Sequence, residues 1–266
     1  MAVAGQSDGD LTRASAARVR DWLLGGTLNT PIDRFVGRQI ENVLPSIRQL
    51  LHAGRAFLRL AVAHMLECGI RQFLELGPGF PMAGQVHQLI QERQLDAAVV
   101  YVDRDPAVVA LGESALRGVR GAAFVHADLL QPHAVLDHEE TRRLIDPAEP
   151  VGLLMIEVLQ TVPDEARPDR LVNAYRKRLC SGSGLALSHV ASGLAPQYES
   201  FNAAHSALFG RVVPRDREVL SSWLSGLELV EPGLAPLSAV LPDEGRSVGQ
   251  DDDSLRHTLA AIGYEP

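Results

Sequence analysis

Apolar positions along this chain fall into two patterns that take turns. Short continuous apolar runs bounded by polar or turn residues read as buried parallel strands. One leads from Arg71 through Phe73 and Leu74 to Glu75; others are Val99–Asp103, Ala122–Ala127, Val151–Ile156 and Leu185–Val190. Between and after them lie amphipathic stretches. Arg167–Cys180 puts Leu171, Val172, Tyr175 and Leu179 on one helical face, and Pro214–Trp223 predicts the next crossover helix. Leu227–Val230 predicts a sixth strand, Ser254–Ile262 a short terminal helix, and Gly263–Glu265 the last strand.

The first strand is preceded by a long helical lead. Ser15–Leu24 predicts a helix stopped by Gly25-Gly26, and Pro31 opens a second through about Asn42. Pro45 opens a third with Ile47, Leu50 and Leu51. A fourth runs over Ala53–Cys68, with Phe57, Leu58, Leu60, Ala61, Met65 and Leu66, until Gly69 ends it. Such a lead is too long for a linker and predicts a cap over the strand ends. The expected organisation is a disordered segment 1–11, small, polar and glycine-containing; a helical cap 12–69; and an α/β domain 70–266. Residues 192–214, with Tyr198, Phe201, His205 and Phe209, form a lid in this reading.

Composition narrows the function classes. The 266 residues suit one large α/β domain with decorations, and 46% hydrophobic with 22% charged residues is ordinary for a globular chain. A formal charge of −8 carries no basic footprint, so no nucleic-acid partner is expected. The two cysteines, Cys68 and Cys180, are far apart, which excludes a disulfide framework and fits the reducing cytoplasm. No run of about 18 apolar residues predicts a membrane span, and no signal peptide is read. His133 and His138 lack a third ligand at helical spacing, so no metal site is expected.

The chemistry gathers at the strand ends. Glu75-Leu76-Gly77-Pro78-Gly79 closes the first strand with an acid and two glycines, which permit a tight turn close to a ligand. A dinucleotide loop needs a third small residue where Met82 stands, with Ala83 and Gly84 too late; a P-loop needs a Lys and a Ser or Thr that are missing. Asp103 ends the second strand at about the 20-residue spacing of a ribose-binding acid, followed by Arg104 and then Pro106 at a helix start. Asp128, followed by Leu129, ends the third strand. Three acids at three consecutive strand ends are far more specific than any one alone. Glu157 and Gln160 follow the fourth strand, either as ligand contacts or as structural hydrogen-bonding groups, and His189 lies near the end of the fifth.

The acid-glycine loop resembles the E/D-x-G-x-G motif of class I S-adenosylmethionine (SAM) methyltransferases. The wider chain is similar to a bacterial SAM-dependent methyltransferase family of largely unknown substrate. That resemblance rests on Ala17-Arg18-Val19-Arg20-Asp21-Trp22-Leu23-Leu24-Gly25-Gly26 with Asn29 and Asp33-Arg34, on Gly54-Arg55-Ala56-Phe57-Leu58, on Tyr101-Val102-Asp103 and on Leu227–Gly233. It departs from the family pattern at Arg20, where Tyr is usual, at Gly54, where Asn is usual, at the hydroxyl positions of the glycine loop, and at Gln160, where His is usual.

The resemblance implies a Rossmann-like α/β fold: a mostly parallel seven-stranded sheet with helices on both faces and an N-terminal helical cap. It implies SAM as cofactor, held by Glu75, Gly77, Gly79, Asp103, Arg104, Asp128, Leu129 and Glu157, with Arg18, Gly25 and Asn29 closing the site from the cap. The acceptor is expected to be a small molecule. A hydroxyl acceptor would need a general base, for which His189 is nearest by position. A non-catalytic SAM-binding protein and an NAD(P)-dependent oxidoreductase stay open as alternatives.

Overall fold

A computed structural model describes residues 13–82, 84–193, 212–242 and 253–266, together with 200, 201, 205, 206, 209 and 210. The segment 1–11, Ala83, Tyr198 and Asp251-Asp252 lie outside the described residues.

Five parallel strands form in the order that their apolar runs predict: β1 (Gln72–Leu76), β2 (Ala98–Asp103), β3 (Ala122–His126), β4 (Val151–Ile156) and β5 (Gly184–Val190). Two short strands follow, β6 (Glu228–Leu229) and β7 (Ala235–Pro236), and then β8 (Thr258–Tyr264). The spatial order is β3-β2-β1-β4-β5-β8-β6, with β7 also paired to β8. The sheet therefore has eight strands among the described residues, one more than expected. The order reverses between β1 and β4, and ligands of open α/β sheets bind outside the strand ends at such a switch.

The chain end corrects the sequence reading. Only Asp253–His257 is helical, and Thr258–Ile262, expected as helix, is the first part of β8. Its alanines favour helix by propensity, but β8 fills a slot between β5 and β6 and pairs antiparallel with β5 along its whole length, from Thr258 opposite Val190 to Tyr264 opposite Gly184. Tertiary pairing overrides local preference.

Helices among the described residues include α1 (Ala16–Leu23), α2 (Pro31–Val43), α3 (Ile47–Glu67), α4 (Val86–Glu92), α5 (Pro106–Ala115), α6 (Pro132–Leu136), α7 (Glu139–Leu144), α8 (Pro168–Arg176), α9 (Arg217–Trp223), α10 (Leu237–Val240) and α11 (Asp253–His257). The third and fourth predicted helices are one continuous helix, α3, because nothing between Leu51 and Ala53 breaks the pattern. At the end of α1, Gly25 takes φ +83°, its N–H bonds Trp22 O, and Gly26 N–H reaches Asp21 O. That is a Schellman stop, as the glycine pair predicts.

Alternation along the strands sorts the core into two layers. Phe73, Tyr101, Leu154 and Ala186 face α3 with Phe57, Ala61 and Met65. Leu74, Val100, Leu153 and Leu187 face the other way, against Tyr175 and Trp223 of α8 and α9. A smaller cluster of Val19, Leu23, Val36, Ile40, Ile47 and Leu51 joins α1 and α2 to the start of α3. Helix α3 thus packs on α1, α2 and the sheet, and fixes α1 in front of the β1 and β4 ends. Among the described residues no helix is long and apolar enough to cross a membrane.

Candidate active site

The glycine turn is locked by its neighbours. Gly77 N–H bonds Val102 O at 2.8 Å, and its φ of +69° would strain any side chain. A Cβ there would lie 2.5 Å from Val158 Cγ2, so glycine also lets the turn approach the segment after β4. Gly79 has φ +71° and open space where a Cβ would point. Its N–H donates to Asp103 Oδ2 at 3.2 Å, while Asp103 Oδ1 accepts from Asp105 N–H at 3.0 Å. One carboxylate therefore ties the β1 turn to the β2 turn. Burial raises the Asp103 pKa, against the pull of those two N–H donors.

Glu75 points toward the α3 side of the sheet, level with Tyr101 and Leu154. It is 4% exposed, and its Oε2 has no hydrogen-bond partner. Burial pushes its pKa up to about 7, although Arg55 and Arg20 pull it down; Asp103 adds a smaller upward push. A buried carboxylate with an unused oxygen is costly unless something meets it.

The remaining acids are held in the turns after β3 and β4. Asp128, half-buried, accepts from Leu130 N–H at 2.9 Å through Oδ1. The next carbonyl, Leu129 O, accepts from the Tyr175 hydroxyl at 2.8 Å, which anchors the β3 turn to α8. Arg104 is exposed, and its carbonyl meets His126 Nε2 at 3.1 Å. Glu157 takes left-handed backbone, φ +54°, directly after β4, a conformation that costs a non-glycine residue about 1–3 kcal/mol. Its N–H faces Ser188, with the hydroxyl and the carbonyl both at 3.1 Å. Its carboxylate accepts from Arg20 Nη2 at 2.8 Å. A Cβ on Gly54 would come within 2.6 Å of Glu157 Oε1, so this part of α3 leaves room for that carboxylate.

The residues expected to close the site from α1 and the loop after it divide. Arg18 is buried against Asp33, Nε to Oδ2 at 2.7 Å, and also donates to the Arg13 carbonyl. Burial opposes ionisation of Asp33, but hydrogen bonds from Arg18, Thr30 and Ser15 outweigh it and hold its pKa below the ordinary value. Those contacts place Arg18 among the bonds joining α1 to α2, and it does not line the cleft. Asn29 donates to Asp21 Oδ2 at 2.8 Å and to Gly26 O at 2.9 Å. Asp21 does line the cleft, whereas Asn29 and Gly25 are not in its lining and meet it only through the α1 terminus. That cleft lies between Ala17, Arg20, Asp21 and Leu24 of the α1 region, Arg55 of α3, and Pro78, Phe80 and Met82 of the turn.

His189 is a correction. It ends β5 as expected, but it sits on the opposite face of the sheet from Glu75, with Leu185 and Leu187. The ring is fully buried, edge-on to Trp223 with centroids 5.6 Å apart. Nδ1 lies 2.7 Å from Val190 O, and Nε2 lies 2.9 Å from Arg215 Nη1. Since Arg215 can only donate, Nε2 accepts and Nδ1 carries the proton. Burial lowers its pKa to about 4. It is a neutral structural group and no base for this cleft. Gln160 is also engaged, accepting from Val190 N–H at 3.1 Å.

Sequence reasoning missed Arg20 and Arg55, which line the cleft. The available signal was a charge inside an apolar stripe: Arg55 stands between Ala53 and Phe57 on the buried side of α3. Arg20 and Gly54, noted above only as departures from a pattern, meet in space at Glu157.

The family model for S-adenosyl methyltransferases matches residues 3–266. The chain belongs to this methyltransferase family. A DUF574-family protein from Streptomyces avermitilis is 32% identical, with a TM-score of 0.90 over 97% of this chain and 99% of its own. A candidate methyltransferase from Thermobifida fusca is 30% identical, with a TM-score of 0.89 over 99% of both chains. The [4+2]-cyclase SpnF shares only the fold, at 15% identity and a TM-score of 0.51 over 79% of this chain and 81% of its own. Comparison with curated proteins finds no match. The enzyme is a SAM-dependent methyltransferase with the Rossmann-like fold of the class. Its residues suit that cofactor: a turn held open by glycines, an acid after β2, and a buried carboxylate with an unused oxygen at the end of β1.

Proposed function

We propose that this methyltransferase acts on a small molecule, with residues 12–69 serving as a cap on a catalytic domain of residues 70–266. In this reading Glu75, Gly77 and Gly79 hold the cofactor at β1, Asp103 and Arg104 at β2, Asp128 and Leu129 at β3, and Glu157 at β4. Arg18, Gly25 and Asn29 shape the cap side. The observation that carries the reading is the row of acids Glu75, Asp103 and Asp128 along the carboxyl ends of three adjacent strands. The formal charge of −8 supports a small acceptor over a nucleic acid.

Bound SAM supplies an electrophilic methyl, so the chain's work is binding, alignment and exclusion of water. The α1 region and the glycine turn face each other across the cleft, which limits access of solvent. With His189 on the far face, Glu157 is the carboxylate beside the transfer position, and Arg20 holds it in place. Alignment of acceptor, methyl and sulfur contributes several kcal/mol without any proton transfer.

Titration calorimetry of the protein with SAM, S-adenosylhomocysteine, NAD and NADP tests this. Micromolar binding of the two adenosyl ligands alone is expected, and D103A should lose it while keeping its fold. Unchanged binding in D103A would sink the assignment of the β2 acid. Binding of NAD instead would overturn the reading of the glycine turn.

A further inference from the structure

Arg215 is buried on the Trp223 side of the sheet, with its guanidinium carbon 5.2 Å from the centre of that ring. An arginine carries five N–H donors and no acceptor, so burying one demands a partner for each. All five are met. Nε and Nη2 both donate to Asp164 Oδ1, at 3.1 and 2.9 Å. Nη1 donates to Leu159 O at 3.0 Å and to His189 Nε2 at 2.9 Å, and Nη2 donates to Val162 O at 2.6 Å. Four of the five bonds thus go to one short stretch, 159–164, in the chain that follows β4. That chain is folded as two 3-10 turns, Leu159–Thr161 and Asp164–Ala166, whose own hydrogen bonds are the weaker kind. The backbone around Arg215 tightens the hold: Val213 N–H donates to Gln160 O at 2.8 Å, and Arg215 N–H to Val190 O at 3.2 Å.

The two residues just before that stretch face the glycine turn and α1. Glu157 leaves β4 in left-handed backbone and pairs with Arg20, and Val158 Cγ2 lies where a Cβ on Gly77 would fall within 2.5 Å of it. Strained backbone persists only where its surroundings over-determine it. Ser188 fixes the entry to this bend, through the Glu157 N–H. Arg215 fixes the exit, through the carbonyls of Leu159 and Val162. We propose that Arg215 is a positioning residue for the cofactor site: its fork clamps 159–164 from the Trp223 side and so sets Val158 and Glu157 against the glycine turn. This rests on the cofactor reading above, which puts Glu157 and the glycine turn at the ligand, and it adds a residue that acts only through them. The planar fork is what the task needs, since it spans two carbonyls and a carboxylate at once, whereas the ammonium of a lysine is a single point. His189 takes the fifth donor and lies outside the clamped stretch.

The test is calorimetry of the full chain with S-adenosylhomocysteine, at a temperature where circular dichroism shows each variant folded. R215M should weaken binding roughly tenfold, the order expected when a ligand must itself order a loop that was held ready. R215K, which keeps the charge and loses the fork, should weaken it nearly as much. H189N separates positioning from stability: it loosens the same buried cluster, spares the four bonds to 159–164, and should bind within about twofold of wild type. In a V158A background the R215K loss should shrink to about threefold or less, because the path through Val158 is already cut. In the wild type, S-adenosylhomocysteine should slow amide hydrogen exchange across 157–164. Arg215 variants that bind within about threefold of wild type overturn the proposal, and so does a loss in H189N equal to that in R215M, since Arg215 would then serve the fold alone. Exchange across 157–164 that the ligand leaves unchanged overturns it as well, and decides the matter if neither Arg215 variant folds. A wild type that binds no S-adenosylhomocysteine removes the cofactor reading and this inference together. Binding lost in D103A and kept in R215M removes the inference alone.

Discussion

Glu75→Gln isolates the cost of the buried acid, because it keeps the shape of the side chain and removes its titration. The unfolded carboxyl has a pKa of 4.5, and burial pushes the folded one up to about 7. A folded pKa above the unfolded one means that the native state holds its proton longer. Stability from this group is therefore fully present below pH 4.5 and is lost as pH rises toward 7, where the unfolded chain has already ionised. The gap, at about 1.4 kcal/mol per tenfold, corresponds to about 3 kcal/mol above pH 7. The wild type should accordingly lose about 2 kcal/mol relative to E75Q between pH 5.5 and 8.5, after most other contributions cancel in the difference. Urea unfolding of the two proteins, followed by circular dichroism across that range, reads this directly. A gap that stays constant with pH refutes the reasoning. A gap that closes as pH rises refutes it more sharply, since the pull of Arg55 and Arg20 would then exceed the effect of burial.

The same variant should bind S-adenosylhomocysteine less tightly while being more stable at pH 8, since a group kept unpaired for a ligand is a cost to the fold.

Gly77→Ala combines left-handed strain with a clash against Val158 and should cost on the order of 3 kcal/mol in urea unfolding, whereas Gly79→Ala meets open space and should cost about 1–2 kcal/mol; equal losses would contradict the packing of the turn. His189→Asn should cost about 1–3 kcal/mol of stability, because it breaks the bonded arrangement with Val190 and Arg215, and leave S-adenosylhomocysteine affinity unchanged. With the folded pKa near 4, the contribution of His189 is present above pH 6.5 and lost as pH falls toward 4, so the wild-type advantage over that variant should shrink in acid. R20M and E157Q should show a coupling of about 1–2 kcal/mol in a double-mutant stability cycle, while a coupling near zero would mean that the ion pair does not fasten α1 to β4.

What the sequence made legible, and what it withheld, follow the reach of the interactions. The five parallel strands and the glycine stop of α1 are local patterns, and each formed close to where its residues place it. The terminal strand was misread because its slot is created by β5 and β6, and nothing in Thr258–Ile262 itself records those neighbours. His189 shows a subtler limit. Period-2 alternation tells which residues of β5 share a face, and places His189 with Leu185 and Leu187, but it does not tell which face meets the cleft. That depends on α3 covering the Ala186 side and on α9 covering the other with Trp223. The arginines lay furthest from view, since Arg20 and Glu157 are brought together only when α1 is docked on α3 and α3 on the sheet. Yet their trace was present, in pieces. Arg20 and Gly54 were separate oddities along the chain, and in the fold they are one feature: a guanidinium that binds Glu157 and a missing side chain that leaves room for it. Two departures that meet at one carboxylate after β4 make Arg20, Gly54 and Glu157 the first positions to substitute when acceptors are screened.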